Sequence, residues 1–162
     1  EYDTMSGVFA EYIEAEVLPR VEKNCGVKLT KNPDGRAAMG NSSGGSAALI
    51  MAWFRPDLYR RVLTTSGTFV NQQWPFDPKY PDGAWGFHET LIPRELKKPI
   101  RLFISVGDAD LLTPPEHARR LASAIRGARL LVASGAGHML PLERDELVSD
   151  QLIELVQAAR EA

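Results

Sequence analysis

The stretch Arg36-Ala37-Ala38-Met39-Gly40-Asn41-Ser42-Ser43-Gly44-Gly45-Ser46-Ala47-Ala48-Leu49-Ile50 decides the fold. Arg36 to Asn41 is a short run of small and apolar residues, the pattern of a buried strand, and Ser46 to Phe54 continues as a helix after a glycine-rich turn. Within that turn, Gly40-Asn41-Ser42-Ser43-Gly44 fits G-x-S-x-G, in which a serine sits on a strained strand-to-helix turn and small neighbours let the turn close. Ser42 would then be a nucleophile. The pentapeptide by itself also fits a plain tight turn or an anion site at a helix start. The apolar strand before it and the small first-turn residues after it favour the nucleophile reading.

Upstream, Phe9, Ile13, Val17 and Val21 recur at helical spacing, with Val8, Tyr12 and Leu18 widening the stripe, so an amphipathic helix is expected from an N-cap at Thr4. Pro19 should bend or split it, Asn24 to Gly26 should end it, and Asn32-Pro33-Asp34-Gly35 reads as a turn. Downstream, Arg61 to Thr65, Ile100 to Val106 and Ala128 to Ala133 read as further strands, and Pro114 to Ile125 and Leu142 to Ala159 as helices. Ser66 to Pro99 is irregular, rich in Gly, Pro and aromatics. Its Trp74, Phe76, Tyr80, Trp85 and Phe87 argue for a packed lid or pocket wall rather than disorder. Short apolar strands alternating with helices imply an α/β fold, a mostly parallel sheet with helices on both faces, in a single domain over residues 1–162.

Composition excludes several functions. The 162 residues are 44% hydrophobic and 25% charged, ordinary for a chain that buries a core. Nineteen Lys and Arg against 21 Asp and Glu give a net charge of −2 with both signs scattered, so nucleic acid is not an expected partner. Apolar runs such as Ala47 to Phe54 fall far short of the roughly 20 residues that cross a bilayer, so no membrane span is expected. The single cysteine, Cys25, reads as a structural or free thiol, and His88, His117 and His138 are too dispersed for metal-ligand spacing. No metal or other cofactor is expected. The chain opens on Glu1 with neither Met nor an apolar signal segment, which reads as an interior point of a longer chain and leaves localisation unassigned.

A serine hydroxyl needs a base to take its proton, and the base needs an orienting carboxylate. Both follow in order. Asp110 closes Gly107-Asp108-Ala109-Asp110 just after one strand, and His138 closes Gly135-Ala136-Gly137-His138 just after the last. Both therefore sit where parallel strands end, the edge at which α/β sheets place their sites. Asp108 reads as a cap of its turn. His117 lies among Glu116, Arg119 and Arg120 and reads as a solvated surface residue. His88 and Trp85 are candidate substrate contacts, with packing inside the loop as their alternative. Glu143, Arg144, Asp145 and Glu146 read as a solvated first turn of the closing helix.

With Ser42, Asp110 and His138 in that order, the chain resembles the C-terminal part of an α/β-hydrolase. Residues from about Tyr2 to Val106, including Gly40 to Gly45 and Tyr80-Pro81-Asp82-Gly83-Ala84-Trp85-Gly86-Phe87-His88-Glu89, resemble the esterase D and enterochelin esterase-like group. From about Gly107 onward, Asp110-Leu111-Leu112-Thr113-Pro114-Pro115-Glu116-His117-Ala118 and Gly135 to His138 resemble small lactonase-like hydrolases. The resemblance selects Asp110 over Asp108 as the acid and implies a partial α/β-hydrolase fold without its first strands.

The resemblance further implies a cofactor-independent serine esterase acting on a small-molecule carboxylic ester through an acyl-enzyme. Ser42 would attack, His138 would carry the proton, Asp110 would orient it, and the Ser43 backbone N–H would give the first oxyanion donor. In the family the second donor comes from a loop after an early strand, a segment not found in this chain. A lactonase or acyltransferase on the same triad is one alternative. A weakly active or inactive hydrolase-derived binding module is another, with a truncated sheet edge that pairs with a second chain or makes a homo-oligomer. The two differently resembling halves also fit a recombined sequence.

Overall fold

A computed structural model describes residues 2–157. The chain enters through α1 (Val8–Tyr12), a π-helical turn Ile13–Val17 and α2 (Leu18–Cys25), which form one continuous helical segment. The wide turn falls just ahead of Pro19, which has no N–H to give an α-helical carbonyl. Gly26, at φ 62°, ends the segment in the left-handed region. The expected start at Thr4 is corrected to Val8, with Gly7 at the N-cap position. Met5 is almost wholly buried, and seating it in the core holds the preceding residues as bends rather than helix.

Four strands follow, β1 (Ala37–Asn41), β2 (Arg61–Thr65), β3 (Arg101–Gly107) and β4 (Arg129–Ala133), each within one residue of its expected bounds. They form one parallel sheet in the order β1-β2-β3-β4. Between β1 and β2 runs α3 (Ser43–Phe54). Between β2 and β3 lies the irregular excursion, which ends in a 3-10 turn Gly83–Trp85, a π-helical turn Phe87–Leu91 and α4 (Ile92–Arg94). Then come α5 (Pro115–Ala124), α6 (Leu140–Glu143) and α7 (Asp145–Gln157).

Side-chain alternation along the strands divides the core in two, as a sheet covered on both faces requires. Val62, Leu102, Ile104 and Val106 join a cluster with Leu49, Trp53 and Leu121 from α3 and α5. Leu63, Phe103 and Ala133 point the other way and pack with Leu140, Val148 and Leu155 from α6 and α7. The excursion contributes Phe69 and Phe87 to the first cluster, with Phe87 edge-on to both Phe69 and Trp53. Trp74 and Phe76 of the same segment are exposed.

Two helices differ from expectation. The helix after the glycine-rich turn begins at Ser43 rather than Ser46, directly after Ser42. The expected closing helix Leu142 to Ala159 is two helices, broken at Arg144, whose φ of −144° and ψ of 55° lie outside the helical region. Its expected last residues lie outside the described part of the chain. Among the described residues no helix is long and apolar enough to cross a membrane.

Candidate active site

The parallel register brings the strand ends to one edge: Asn41 pairs with Thr65, Thr65 with Ser105, and Gly107 with Ala133. Ser42, Asp110 and His138 leave the sheet at this edge, one, three and five residues beyond β1, β3 and β4.

Ser42 adopts φ 56° and ψ −126°, a conformation that costs a non-glycine residue about 1–3 kcal/mol and must be held from outside. The Ser42 N–H donates to Thr65 O at 3.0 Å, and Thr68 N donates to Ser42 O at 3.1 Å. The turn is so tight that a Cβ on Gly40 would fall on the Gly44 carbonyl. Strand and helix thus pass within backbone contact, and the serine side chain is thrown out at the sheet edge.

His138 Nε2 lies 3.0 Å from Ser42 Oγ, and His138 Nδ1 lies 3.0 and 3.2 Å from the two Asp110 carboxylate oxygens. Hydrogen bonds therefore join all three predicted residues across the ends of three strands. Ser43 is the first residue of α3, so its N–H has no intrahelical acceptor and stands beside the Ser42 turn. Tyr2 lies over the same turn, with its hydroxyl 3.2 Å from Ser43 Oγ.

Asp110 is almost fully buried. Burial raises its carboxyl, but hydrogen bonds from the Thr113 hydroxyl and amide and from His138 outweigh this and lower it to about 2. Thr113 Oγ1 donates to Asp110 Oδ2 at 2.5 Å, and Thr113 N and Leu112 N donate to Oδ1 at 2.9 and 3.0 Å. Ser66, at φ 48°, is buried beside the same carboxylate with its hydroxyl outside hydrogen-bond geometry.

A carboxyl depressed on folding stabilises the native state above its unfolded pKa and loses that contribution as pH falls through its folded value. The Asp110 contribution, roughly 2 kcal/mol, should therefore be intact above about pH 4 and disappear toward pH 2. Urea unfolding between pH 5 and pH 2.5 checks this: the pH slope should be smaller in Asp110→Asn than in the wild type, and equal slopes would contradict it.

Sequence reasoning missed the supports of the site. Thr113 had a readable local signal, since an Asp followed three residues later by Thr and two prolines is an Asx-type turn. Asp108 does not cap its own turn: its Oδ1 accepts from Gly135 N at 2.7 Å, across to the loop that carries His138. Glu143 is exposed as expected and Arg144 half-buried, but they do not start a helix and both bond to the loop that carries His138. The Glu143 carboxylate accepts from Gly137 N and Met139 N, and Arg144 Nη2 donates to Ser134 O and Gly135 O. Asp145 and Glu146 do stand exposed at the start of α7.

His117 is half-buried, with its ring 4.5 Å from Trp85, so the surface reading is corrected: the excursion folds onto α5 and covers it. His88 packs edge-on to Trp85 at 5.3 Å, and burial pushes its imidazole below the ordinary histidine value. Trp85 and His88 thus meet each other and α5, the helix that follows Asp110 and Thr113. Among the described residues no three His, Cys, Asp or Glu side chains cluster as a metal site would need.

Comparison with known proteins agrees with this architecture. The enterobactin esterase of Shigella flexneri superposes with a TM-score of 0.72 at 22% identity, over 95% of this chain and 39% of that one. An α/β hydrolase from a metagenome of lagoon sediments at Mar Chica, Morocco, gives 0.63 at 20% identity, over 96% and 71%. A protein of Thermoplasma acidophilum described as a predicted CIB-like hydrolase gives 0.58 at 22% identity, over 88% and 58%. The chain thus spans well under two thirds of the Shigella and Thermoplasma proteins. No curated protein matches it. The family model described as "Putative esterase" matches residues 4–138, from the entry to α1 through the sheet and all three edge residues to His138, and the chain therefore belongs to this esterase family of the α/β-hydrolase fold.

Proposed function

We propose that the chain hydrolyses carboxylic esters through Ser42, His138 and Asp110. The observation that carries this reading is the unbroken hydrogen-bonded line from Ser42 Oγ through His138 to Asp110 at the strained turn after β1. Membership of the esterase family supports it from a separate direction. Ser42 Oγ attacks the ester carbonyl carbon while His138 Nε2 takes its proton. The tetrahedral oxyanion is met by the Ser43 N–H. Collapse expels the alcohol, which takes the proton from His138, and leaves Ser42 acylated. Water, deprotonated by His138, then attacks the acyl carbon and releases the acid with Ser42 restored. Asp110 stays ionised throughout, holding the imidazole with Nε2 free to accept and stabilising its charged form. An alcohol in place of that water would make the same site an acyltransferase, and an internal ester would make it a lactonase.

Trp85 and His88 enter this proposal as substrate contacts through the wall they build with His117 against α5. A p-nitrophenyl acetate assay tests the reading: a burst of one nitrophenolate per chain ahead of steady turnover is expected. A folded chain that releases nitrophenolate no faster than buffer would reduce the site to the structural turn of a binding module.

We further propose that β1, whose one partner among the described residues is β2, takes a strand from a second copy of the chain on its other side. Met39 of β1 is half exposed, beside an apolar groove of about 590 Å³ that Phe9, Ile13, Ala47 and Met51 help to line. An open, apolar strand edge recruits another chain. Light scattering should therefore give a dimer, about twice 17.9 kDa, that Met39→Lys returns to monomer; a wild-type monomer at high concentration would contradict it.

A further inference from the structure

His138 is carried by a loop that should be loose, and the structure ties it down. Ser134 to His138 contains Gly135 and Gly137, and Gly135 takes φ 63°. Glycines leave a backbone many conformations to lose. Yet many of the polar backbone groups around the base are bonded to a side chain or a neighbouring loop. Asp108 N donates to Ala133 O and Ala109 N to Ala136 O, each at 3.0 Å, and Asp108 Oδ1 accepts from Gly135 N. Arg144 holds the Ser134 and Gly135 carbonyls. Glu143 takes the two amides that flank His138, Gly137 N at 2.7 Å and Met139 N at 3.1 Å.

We infer that Glu143 is a positioning residue for the proposed reaction: its carboxylate, bonded to the amides on both sides of His138, sets the imidazole between Ser42 and Asp110. This rests on the esterase reading above. Two features separate the role from ordinary helix capping. Met139 is the N-cap of α6, so a bond from its N–H to Glu143 is a local cap. Gly137 lies outside that helix, two residues earlier, and its bond is the shorter of the two. The second feature is the demand at the ring. Nε2 and Nδ1 must reach partners at 3.0 Å on both sides at once, a condition that a small rotation of the loop defeats. Charge-assisted bonds to flanking amides are the strong, directional kind suited to fixing such a loop.

The test is the second-order rate constant for covalent labelling by a fluorophosphonate, followed by intact mass on the full chain in the wild type, Glu143→Ala, Glu143→Gln and Asp145→Ala. Labelling rate reports activation of Ser42, and dividing it by the folded fraction of each variant, measured by circular dichroism at the labelling temperature, removes any loss of folding. Displacing a catalytic group by about 1 Å costs up to about a hundredfold, so Glu143→Ala should label about ten- to a hundredfold more slowly. Glu143→Gln, which keeps an acceptor for one amide and opposes the other with its NH₂, should fall between. Asp145→Ala, exposed at the start of α7, should match the wild type. With an ester substrate the same loss should appear in kcat with KM unchanged. Labelling of Glu143→Ala at the wild-type rate, with only its melting temperature lowered, would make Glu143 a helix cap and overturn the inference while leaving the esterase reading standing. No labelling of the wild type would overturn both.

Discussion

Ser42→Ala is expected to lower kcat for a simple ester by about 10⁴- to 10⁶-fold, the range that removal of a triad serine produces. The alanine deletes one atom, the Oγ that sits 3.0 Å from His138 Nε2. It leaves the main-chain bonds that hold the turn, Ser42 N to Thr65 O and Thr68 N to Ser42 O. Alanine carries the same Cβ as serine, so the strain at φ 56° is inherited rather than added. The melting temperature should therefore change little while activity falls to the background left by substrate binding and the Ser43 N–H. Steady-state kinetics with a thermal melt on the same sample checks both halves. Substantial residual turnover in a folded Ser42→Ala would assign the chemistry to another nucleophile.

Asp110→Asn should cost about 10⁴-fold in kcat, with a different signature. An asparagine oxygen can still accept from Thr113 N and Leu112 N, so the loop keeps part of its geometry. Its NH₂ then faces either Thr113 Oγ1 or His138 Nδ1. Beside His138, an amide donor selects the imidazole tautomer with the proton on Nε2, which cannot accept from Ser42. The loss should fall on kcat, with KM little affected. Imidazole ¹⁵N shifts of His138 check the tautomer directly, and an Nδ1-protonated ring in the variant would contradict this account. The Thr113 hydroxyl, at 2.5 Å from Asp110, also loses its charged partner, so some stability should go with the activity.

The elements of the site were readable to very different degrees. The strands could be read as short apolar runs between turn signals; the central β2 and β3 are buried on both faces of the sheet, and β2, with all five residues buried, matched its expected bounds at both ends. Ser42, Asp110 and His138 could be read because each follows such a run, and strand ends place them at one edge. The start of α1 could not, because Met5 is held by the core rather than by a local cap signal. The short helical turns between Gly83 and Arg94 escaped notice because they are single turns fixed by Trp53, Phe69 and Phe87 rather than by a repeating stripe. Glu143 and Arg144 were hidden for a more general reason. A charged pair before a helix looks solvated in any sequence, and its real partners are main-chain groups of a loop that only the folded chain brings alongside. Side chains that bond to backbone leave no complementary residue to find.

The esterase chemistry stands or falls on Ser42 as a nucleophile activated by His138 and Asp110. Intact mass after exposure to a fluorophosphonate tests it without a choice of substrate. One adduct per wild-type chain and none on Ser42→Ala is the expected result. A folded wild-type chain that takes up no adduct, or an adduct that persists at full stoichiometry in Ser42→Ala, would contradict it.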